Sequence, residues 1–327
     1  MAVAVLFYVV TAVSALFIGS IAVQTLVPPK RKSYKGQHVV ITGGSQGMGK
    51  AVAMEFVQRG ADVTIIARTQ STLDSALSEL KAQSTQAQKI RALSVDCTDA
   101  QAVVKALEEA GTPDVMFCCA GTAHPGLFAD MSTTDLAKPM TGNYLSSMFS
   151  AHAALQAMLK TPSEEKSRRR KIVFTSSVVS FLNLAGYCAY TPTKAAIRAL
   201  ADTLRQECLM YDIDVHCIFP ATILSPGFAN EEKLKPEITK ILEEGDAGQT
   251  PEQVAKAAMV GLDRGQALIN TEIIGSLLRC NMKGPSPKNG TLDLVYGFVA
   301  SLIMPFVLFD FENKVKKYSA KQRAKTA

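Results

Sequence analysis

The chain has 327 residues, 47% of them apolar, with 35 lysines and arginines against 29 aspartates and glutamates and a formal charge of +6. That is too apolar for a disordered or collagen-like chain, and long enough for one large globular domain or two ordinary ones. The positive charge is mild and confined to the short runs Lys30–Lys32, Arg168–Lys171 and Lys314–Lys317, which argues against a nucleic-acid partner.

Ala2 to Val27 contains no charged residue and is followed by Pro28-Pro29-Lys30-Arg31-Lys32. At ~1.5 Å per residue such a run spans a hydrocarbon core of ~30 Å. It has no basic region before it and exceeds the apolar core of a signal peptide, so residues 1–29 read as an uncleaved transmembrane anchor. The basic cluster that follows prefers the cytosol and puts the remainder of the chain on that side.

Short β-branched runs then alternate with helical patterns. His38–Thr42, Asp62–Ala67, Ile90–Val95, Asp114–Cys118, Lys171–Thr175 and Asp214–Ile218 read as strands, and most carry consecutive apolar residues, as strands covered on both faces do. Lys50–Arg59, Ser71–Lys81, Ala100–Glu109, Asn143–Leu159 and Pro192–Met210 read as helices between them. The alternation predicts an α/β fold, a Rossmann-type doubly wound parallel sheet, over residues 33–282. Glu164–Arg170 reads as a surface loop whose basic run is solvated.

The first strand leads directly into Thr42-Gly43-Gly44-Ser45-Gln46-Gly47-Met48-Gly49 and a helix. Glycine there permits a tight turn and close approach to a pyrophosphate, whose charge the helix N-terminus favours. Gly43, Ser45, Gln46, Gly47, Met48 and Gly49 are therefore candidate dinucleotide contacts. The second strand ends at Ala67-Arg68, where a carboxylate would hold the ribose 2′-OH of NAD; an arginine instead suits a 2′-phosphate, which favours NADPH. Asp96, just beyond the third strand, is placed to bond the adenine amine.

Tyr190 and Lys194 are four residues apart at the start of a helix and share one of its faces. A phenol that ionises near ~10 in water titrates lower beside an ammonium, so this pair can move a proton. Ser177 lies at the end of a strand, thirteen residues before Tyr190, with Ser176 as the alternative serine. The seven cysteines form no C-x-x-C, and four histidines show no ligand spacing, so neither a disulfide framework nor a metal is expected.

The last stretch, residues 283–327, holds a second apolar run, Leu294–Phe309, bounded by Asp293 and Asp310 and interrupted by Pro305. Both of its flanks prefer the cytosol, so it reads as a re-entrant or interface-lying membrane segment, with a core helix or oligomer contact as the alternative. The tripeptide Asn289-Gly290-Thr291 is a glycosylation acceptor by pattern, and a cytosolic location would leave it unmodified.

The glycine loop, the Ser-Tyr-Lys spacing and Asn143 after the fourth strand resemble the short-chain dehydrogenase/reductase family over roughly residues 38–272. The resemblance implies that Ser177 holds a substrate carbonyl, Tyr190 protonates its oxygen, Lys194 depresses the tyrosine pKa and bonds the nicotinamide ribose, and Asn143 holds a relay water. It also implies cofactor contacts at Ala120, Gly121, Tyr190, Lys194 and Pro220. Two departures stand out: Cys118-Cys119-Ala120-Gly121 replaces the family's Asn-Asn-Ala-Gly, and Pro220-Ala221 replaces its Pro-Gly. Ser225-Pro226-Gly227-Phe228, Glu231–Ile238 and Thr250-Pro251-Glu252 are similar to the branch that reduces the ketone of a long-chain sphingoid base with NADPH. That likeness implies an endoplasmic reticulum membrane protein with a cytosolic catalytic domain, lipid around it, and a homo-oligomer paired through the helices Asn143–Leu159 and Pro192–Met210. A 3-ketoacyl-CoA or steroid/retinoid reductase, or a non-catalytic nucleotide-binding scaffold, is the alternative.

Overall fold

The computed structural model describes residues 26–161, 169–282 and 287–326, with positions 15, 18, 19, 22 and 23. The expected N-terminal anchor therefore lies almost wholly outside the described residues, as does most of the expected loop at 164–170.

Seven parallel strands form the sheet: β1 His38–Thr42, β2 Asp62–Ala67, β3 Ile90–Ser94, β4 Val115–Cys118, β5 Lys171–Thr175, β6 Asp214–Phe219 and β7 Leu268–Asn270. Their order is β3-β2-β1-β4-β5-β6-β7, so successive crossovers change direction between β1 and β4. The six strands expected from the sequence are all present within a residue or two. β7 is an addition, invisible to pattern because a run of three residues shows no period.

Period-two alternation sorts the strand residues onto two faces. Val39, Ile41, Val63, Ile65, Val115 and Phe117 pack against α1 (Gly47–Val57), α2 (Gln70–Gln83) and, through Val254, Met259 and Leu262, a helix at Pro251–Asp263. Val40, Met116, Cys118, Ile172, Phe174 and Cys217 pack on the other face against α3 (Ala100–Ala110), α5 (Ser146–Lys160) and α6 (Thr191–Cys208). Between α3 and α5 come the short α4 (Thr133–Pro139) and a wide π-helical turn, Met140–Leu145. After β6 come α7 (Pro226–Leu234), α8 (Glu237–Leu242) and α9, the helix Pro251–Asp263. Asp99 caps α3 by accepting from the N–H groups of Gln101 and Ala102, and Thr250 forms a capping box with Gln253 at α9.

The basic run beyond the loop is not simply solvated. Arg169 and Lys171 reach Asp214 at 3.2 and 3.0 Å, and Arg170 donates to the Met158 carbonyl at 2.7 Å. These cations tie the start of β5 to β6 and to the end of α5.

α10 (Ile273–Asn281) and α11 (Leu292–Thr326) complete the described chain. The apolar segment expected to stop at Asp310 is instead part of one 35-residue helix. Pro305 removes a single N–H from it, and Asp310 continues the helix by pairing with Lys314 one turn on, at 3.1 Å. Leu292–Ala324 is long and apolar enough to cross a membrane. Its first turns also pack on the domain, where Leu278, Ala300 and Met304 form a small core with Val178, Phe181, Leu182 and Val307.

A buried ion pair fixes the α10–α11 corner. Arg279 donates to both oxygens of Asp293, at 2.9 and 2.6 Å, and the Asn289 N–H adds a third bond at 2.7 Å. A carboxylate withdrawn from water is tolerated only with such a set of donors. The Asn289 amide donates to the Leu268 carbonyl, so the glycosylation tripeptide is folded against the end of the sheet. Arg279→Met is expected to destabilise the full-length chain by about 3–5 kcal/mol, because it leaves a carboxylate buried without its partner. Arg279→Met combined with Asp293→Leu should recover most of that loss in urea unfolding followed by circular dichroism. Equal losses in the two variants would mean that packing, and not the stranded charge, sets the cost.

Candidate active site

In an open parallel sheet the crevice lies beyond the carboxyl ends of the strands where the order reverses. Here it opens beyond Thr42 and Cys118, and it is a cavity of about 1440 Å³. The Thr42 carbonyl accepts from the Cys119 N–H at 3.2 Å, and its buried hydroxyl accepts from the N–H groups of Cys119 and Ala120 at 3.2 and 3.4 Å. Thr42 thus braces the segment after β4 in place of the missing asparagine.

Gly43, Ser45, Gln46, Gly47, Met48 and Gly49 all line the cavity. Gly43 has φ +69°, and a Cβ there would come within 2.8 Å of the Ala120 nitrogen; a Cβ on Gly49 would run into the Gly43 carbonyl. Gln46 supplies no side-chain cap to α1, so the first-turn N–H groups are available to an anionic ligand. Arg68 is exposed at the rim beside Thr69 and Thr72. Asp96 lines the same arm and accepts from Thr98 through backbone and hydroxyl, which together with Arg68 keeps its carboxyl low. A glycine-floored trough with an uncapped helix end and a guanidinium at the rim fits an adenine dinucleotide. Ala120, Gly121 and Pro220 line the cavity where it turns inward.

At that turn the structure brings together Ser177, Tyr190 and Lys194. Ser177 ends the strand segment and caps a single 3₁₀ turn, accepting from the Val179 N–H at 3.3 Å. Ser176 is turned away: its hydroxyl donates to the Lys194 carbonyl at 2.7 Å, which anchors α6 to β5. Of the two serines, Ser177 is the one with a hydroxyl proton not committed to the backbone of α6. Tyr190 is the N-cap of α6, and Pro192 presets the first turn.

The Lys194 ammonium donates to the Thr175 carbonyl at 3.0 Å and lies 5.5 Å from the centre of the Tyr190 ring. Burial lowers its pKa to about 8. The expected depression of the tyrosine is not found. Burial, with the Glu231 carboxylate behind it, pushes the Tyr190 phenol well above its ordinary value, and the Ser177 hydroxyl opposes this only in part. The lysine faces the ring and the Thr175 carbonyl, and desolvation outweighs it.

Asn143 sits apart from the lining. It is fully buried in the π-helical turn, and its amide bonds both polar groups of the Thr122 backbone, accepting at 2.8 Å and donating at 3.0 Å. The expected water-holding role therefore does not fall to its side chain, whose visible work is to fix the segment after Gly121. A Cβ on Gly121 would strike the Asn143 oxygen, so the glycine is required by that close approach.

A charged network on the other arm has no counterpart among the sequence expectations. The Tyr187 hydroxyl donates to Glu231 and, in its second contact, reaches Glu243 at 2.9 Å, and its ring is 5.8 Å from that of Tyr190. Lys235 bridges Glu232 and Glu243 at 2.5 and 2.6 Å and approaches Glu231 at 3.7 Å. Burial raises the Glu231 carboxyl despite its bond from Tyr187. The acidic run around Glu231 is visible in the sequence, but its convergence with Tyr187 and Glu243 needs the fold of α7 and α8. Among the described residues no group of acidic, histidine or cysteine side chains is arranged to hold a metal ion.

Comparison with known proteins agrees with this geometry. The profile of the short chain dehydrogenases matches residues 37–235. The chain is 38% identical over 314 residues to a 3-ketodihydrosphingosine reductase of Aspergillus fumigatus, covering 88% of this chain and 86% of that protein. It is 33% identical over 305 residues to the 3-dehydrosphinganine reductase of Danio rerio, covering 90% of each. A short-chain dehydrogenase from Sphingobium yanoikuyae in complex with NADPH superposes with a TM-score of 0.62 at 26% identity, over 72% of this chain and 87% of that one. The fold and its trough are those of a nicotinamide-dinucleotide enzyme, and the chain belongs to the short-chain dehydrogenase/reductase family.

Proposed function

We propose that the chain reduces the C3 ketone of 3-ketodihydrosphingosine, a long-chain 2-amino ketone, with NADPH. The observation that carries this reading is the division of charge within one cavity. Arg68, Lys138 and Lys194, with Asp96 as the one acid, line the dinucleotide arm, whereas Glu231, Glu243, Glu244, Asp246 and Glu272 line the arm beyond Tyr190. Glu231 and Glu243 are partly withdrawn from water and share the single Lys235 ammonium, so the cluster keeps an excess of negative charge that favours a further cation, and the sphingoid ketone carries an ammonium next to its reacting carbon. The phosphates of a coenzyme A thioester would meet the same carboxylates with like charge, which disfavours the acyl-CoA alternative. The names of the relatives support the same substrate.

When bound, NADPH supplies the hydride. Tyr190 donates the proton to the ketone oxygen, Ser177 hydrogen-bonds that oxygen, and Lys194 offsets the negative charge that develops there. A phenol raised by burial keeps its proton at neutral pH until the oxygen becomes basic enough to take it. Arg68 would pair with the 2′-phosphate, Asp96 with the adenine amine, and the loop Gly43–Gly49 would cradle the pyrophosphate. Residues 33–282 form the catalytic domain in this reading, held at the cytosolic face of the endoplasmic reticulum by residues 1–29 and 283–327, as a homo-oligomer paired through α5 and α6.

The direct test is NADPH consumption by the purified full-length protein with 3-ketodihydrosphingosine beside a 3-ketoacyl-CoA; preference for the thioester overturns the substrate. Tyr190→Phe should lower turnover about 10²–10⁴-fold while NADPH still binds, and near-normal turnover would remove the tyrosine from the proton transfer. Arg68→Ala should weaken NADPH and leave NADH nearly unchanged, because only the former carries the phosphate that the guanidinium pairs with. Isothermal titration with both cofactors reads this, and equal losses would make Arg68 structural.

The pH dependence follows from the lysine. With Tyr190 raised and Lys194 at about 8, the lysine is the group that titrates first, charged below that value and neutral above it. Reductive kcat is therefore expected to be level on the acid side and to fall as pH rises through about 8. Lys194→Met should lower the rate and abolish that alkaline limb; an unchanged limb would assign it to another group.

A further inference from the structure

The cavity does not end at the carboxylates. Past Tyr187 it continues between α10 and α11, along Ile274, Leu277 and Leu278 on one side and Ile303, Met304 and Val307 on the other. Leu278 and Met304 are buried, whereas Ile274 and Ile303 are about half exposed, at 50% and 47%, so the seam opens outward between them. The opposite face of α11 carries Phe298, Leu302, Phe306 and Phe309, exposed by 66, 57, 75 and 65%. Their four-, four- and three-residue spacing puts them in one stripe. The helix is thus apolar on the face that walls the cavity and on the face that looks away from the protein, which water does not tolerate in a helix of this length. Asp310 and Glu312 follow the stripe, paired with Lys314 and Lys316, and the further basic residues Lys317, Lys321 and Arg323 leave the end of the helix positive on balance.

We propose that the α10–α11 seam is a lateral portal, through which the alkyl tail of the substrate passes from the bilayer into the cavity and in which it stays during the reaction. The bilayer covers the outer stripe of α11, and the basic turns after it lie against anionic headgroups. The tail then never crosses water: it leaves the acyl region between Ile274 and Ile303 and runs inward along Met304 and Leu278, while the ketone reaches Tyr190. The identity of the substrate rests on the function proposed above; the portal itself rests on the lining and the stripe.

The chain contains no tryptophan, so a single introduced one is a unique reporter. In vesicles of phosphatidylcholine and phosphatidylserine with brominated acyl chains, the full-length Phe306→Trp variant is expected to be strongly quenched. Ile303→Trp in non-brominated vesicles should be quenched by a long-chain 2-amino ketone brominated on its tail. Because the indole narrows the seam, Ile303→Trp should also raise KM about tenfold or more for the long-chain ketone and leave a six-carbon 2-amino ketone unaffected. An unquenched, blue-shifted Phe306→Trp would assign the stripe to a second copy of the chain and overturn the membrane portal. Equal effects of Ile303→Trp on long and short ketones, or no quenching by the brominated tail, would overturn the tail path. If both quenching results hold while neither ketone is reduced by the unsubstituted protein, the portal stands and the proposed reaction falls.

Discussion

Everything at the site depends on the parting of β1 and β4 beyond Thr42 and Cys118. Parallel strands require crossovers, and where these change direction no helix can cover the strand ends, so a crevice is left. One threonine sets its width. Thr42 holds the N–H groups of Cys119 and Ala120, and this lets Gly43 and Ala120 approach so closely that neither a side chain nor a looser turn fits between them. The same bond explains why cysteines are tolerated at 118 and 119: the bracing donors are main-chain groups.

From that crevice outward, burial and charge divide the work. Lys194 loses hydration on entering the core between β5 and α6, and its ammonium is retained because the Thr175 carbonyl receives it. The anchoring is reciprocal, since Ser176 bonds the Lys194 carbonyl and so fixes the backbone from which the ammonium extends. Tyr190, at the N-cap of the same helix, is desolvated, with the Glu231 carboxylate on its far side and the Lys194 ammonium 5.5 Å from its ring centre, and desolvation holds its proton on. A reluctant base is a proton-loaded acid. The burial that lifts the phenol also lowers the lysine, so the two groups are tuned in opposite directions by one cause: the raised phenol suits reduction, and the lowered lysine sets its alkaline limit.

Much of this is legible in the sequence, for physical reasons that also mark where legibility ends. Six strands announce themselves because residues covered on both faces must be consecutively apolar; β7 does not, because three residues contain no period. The glycine loop, Arg68, Ser177, Tyr190 and Lys194 stand out because each sits at a fixed place in its own strand–turn–helix unit, beyond the carboxyl end of β1, β2 or β5. For Asn143 the pattern gives the place but not the role, since its position after β4 is local information while its bonds to Thr122 belong to the π-helical turn. The direction of the Tyr190 pKa is lost to spacing, which reports a neighbour and not the dielectric around it. The Tyr187–Glu231–Glu243 network is contributed by three separate segments, and no local pattern could assemble it.

α11 is the instructive failure. A charge and a proline usually bound an apolar segment, and on that ground the run is expected to end at Asp310. In the structure Lys314 neutralises Asp310 from the next turn and the helix continues into basic residues. Helix propensity and an i,i+4 pair contribute only tenths of a kcal/mol each. The extension is therefore carried by the packing of its first turns, through Ala300 and Met304 on Leu278 and through the buried Arg279–Asp293 pair at the corner. That corner connects catalysis to the surface. Val178 and Leu182, which follow Ser177 by one and five residues, belong to the same small core as Met304, so whatever covers the outer face of α11 bears directly on the turn that presents the serine.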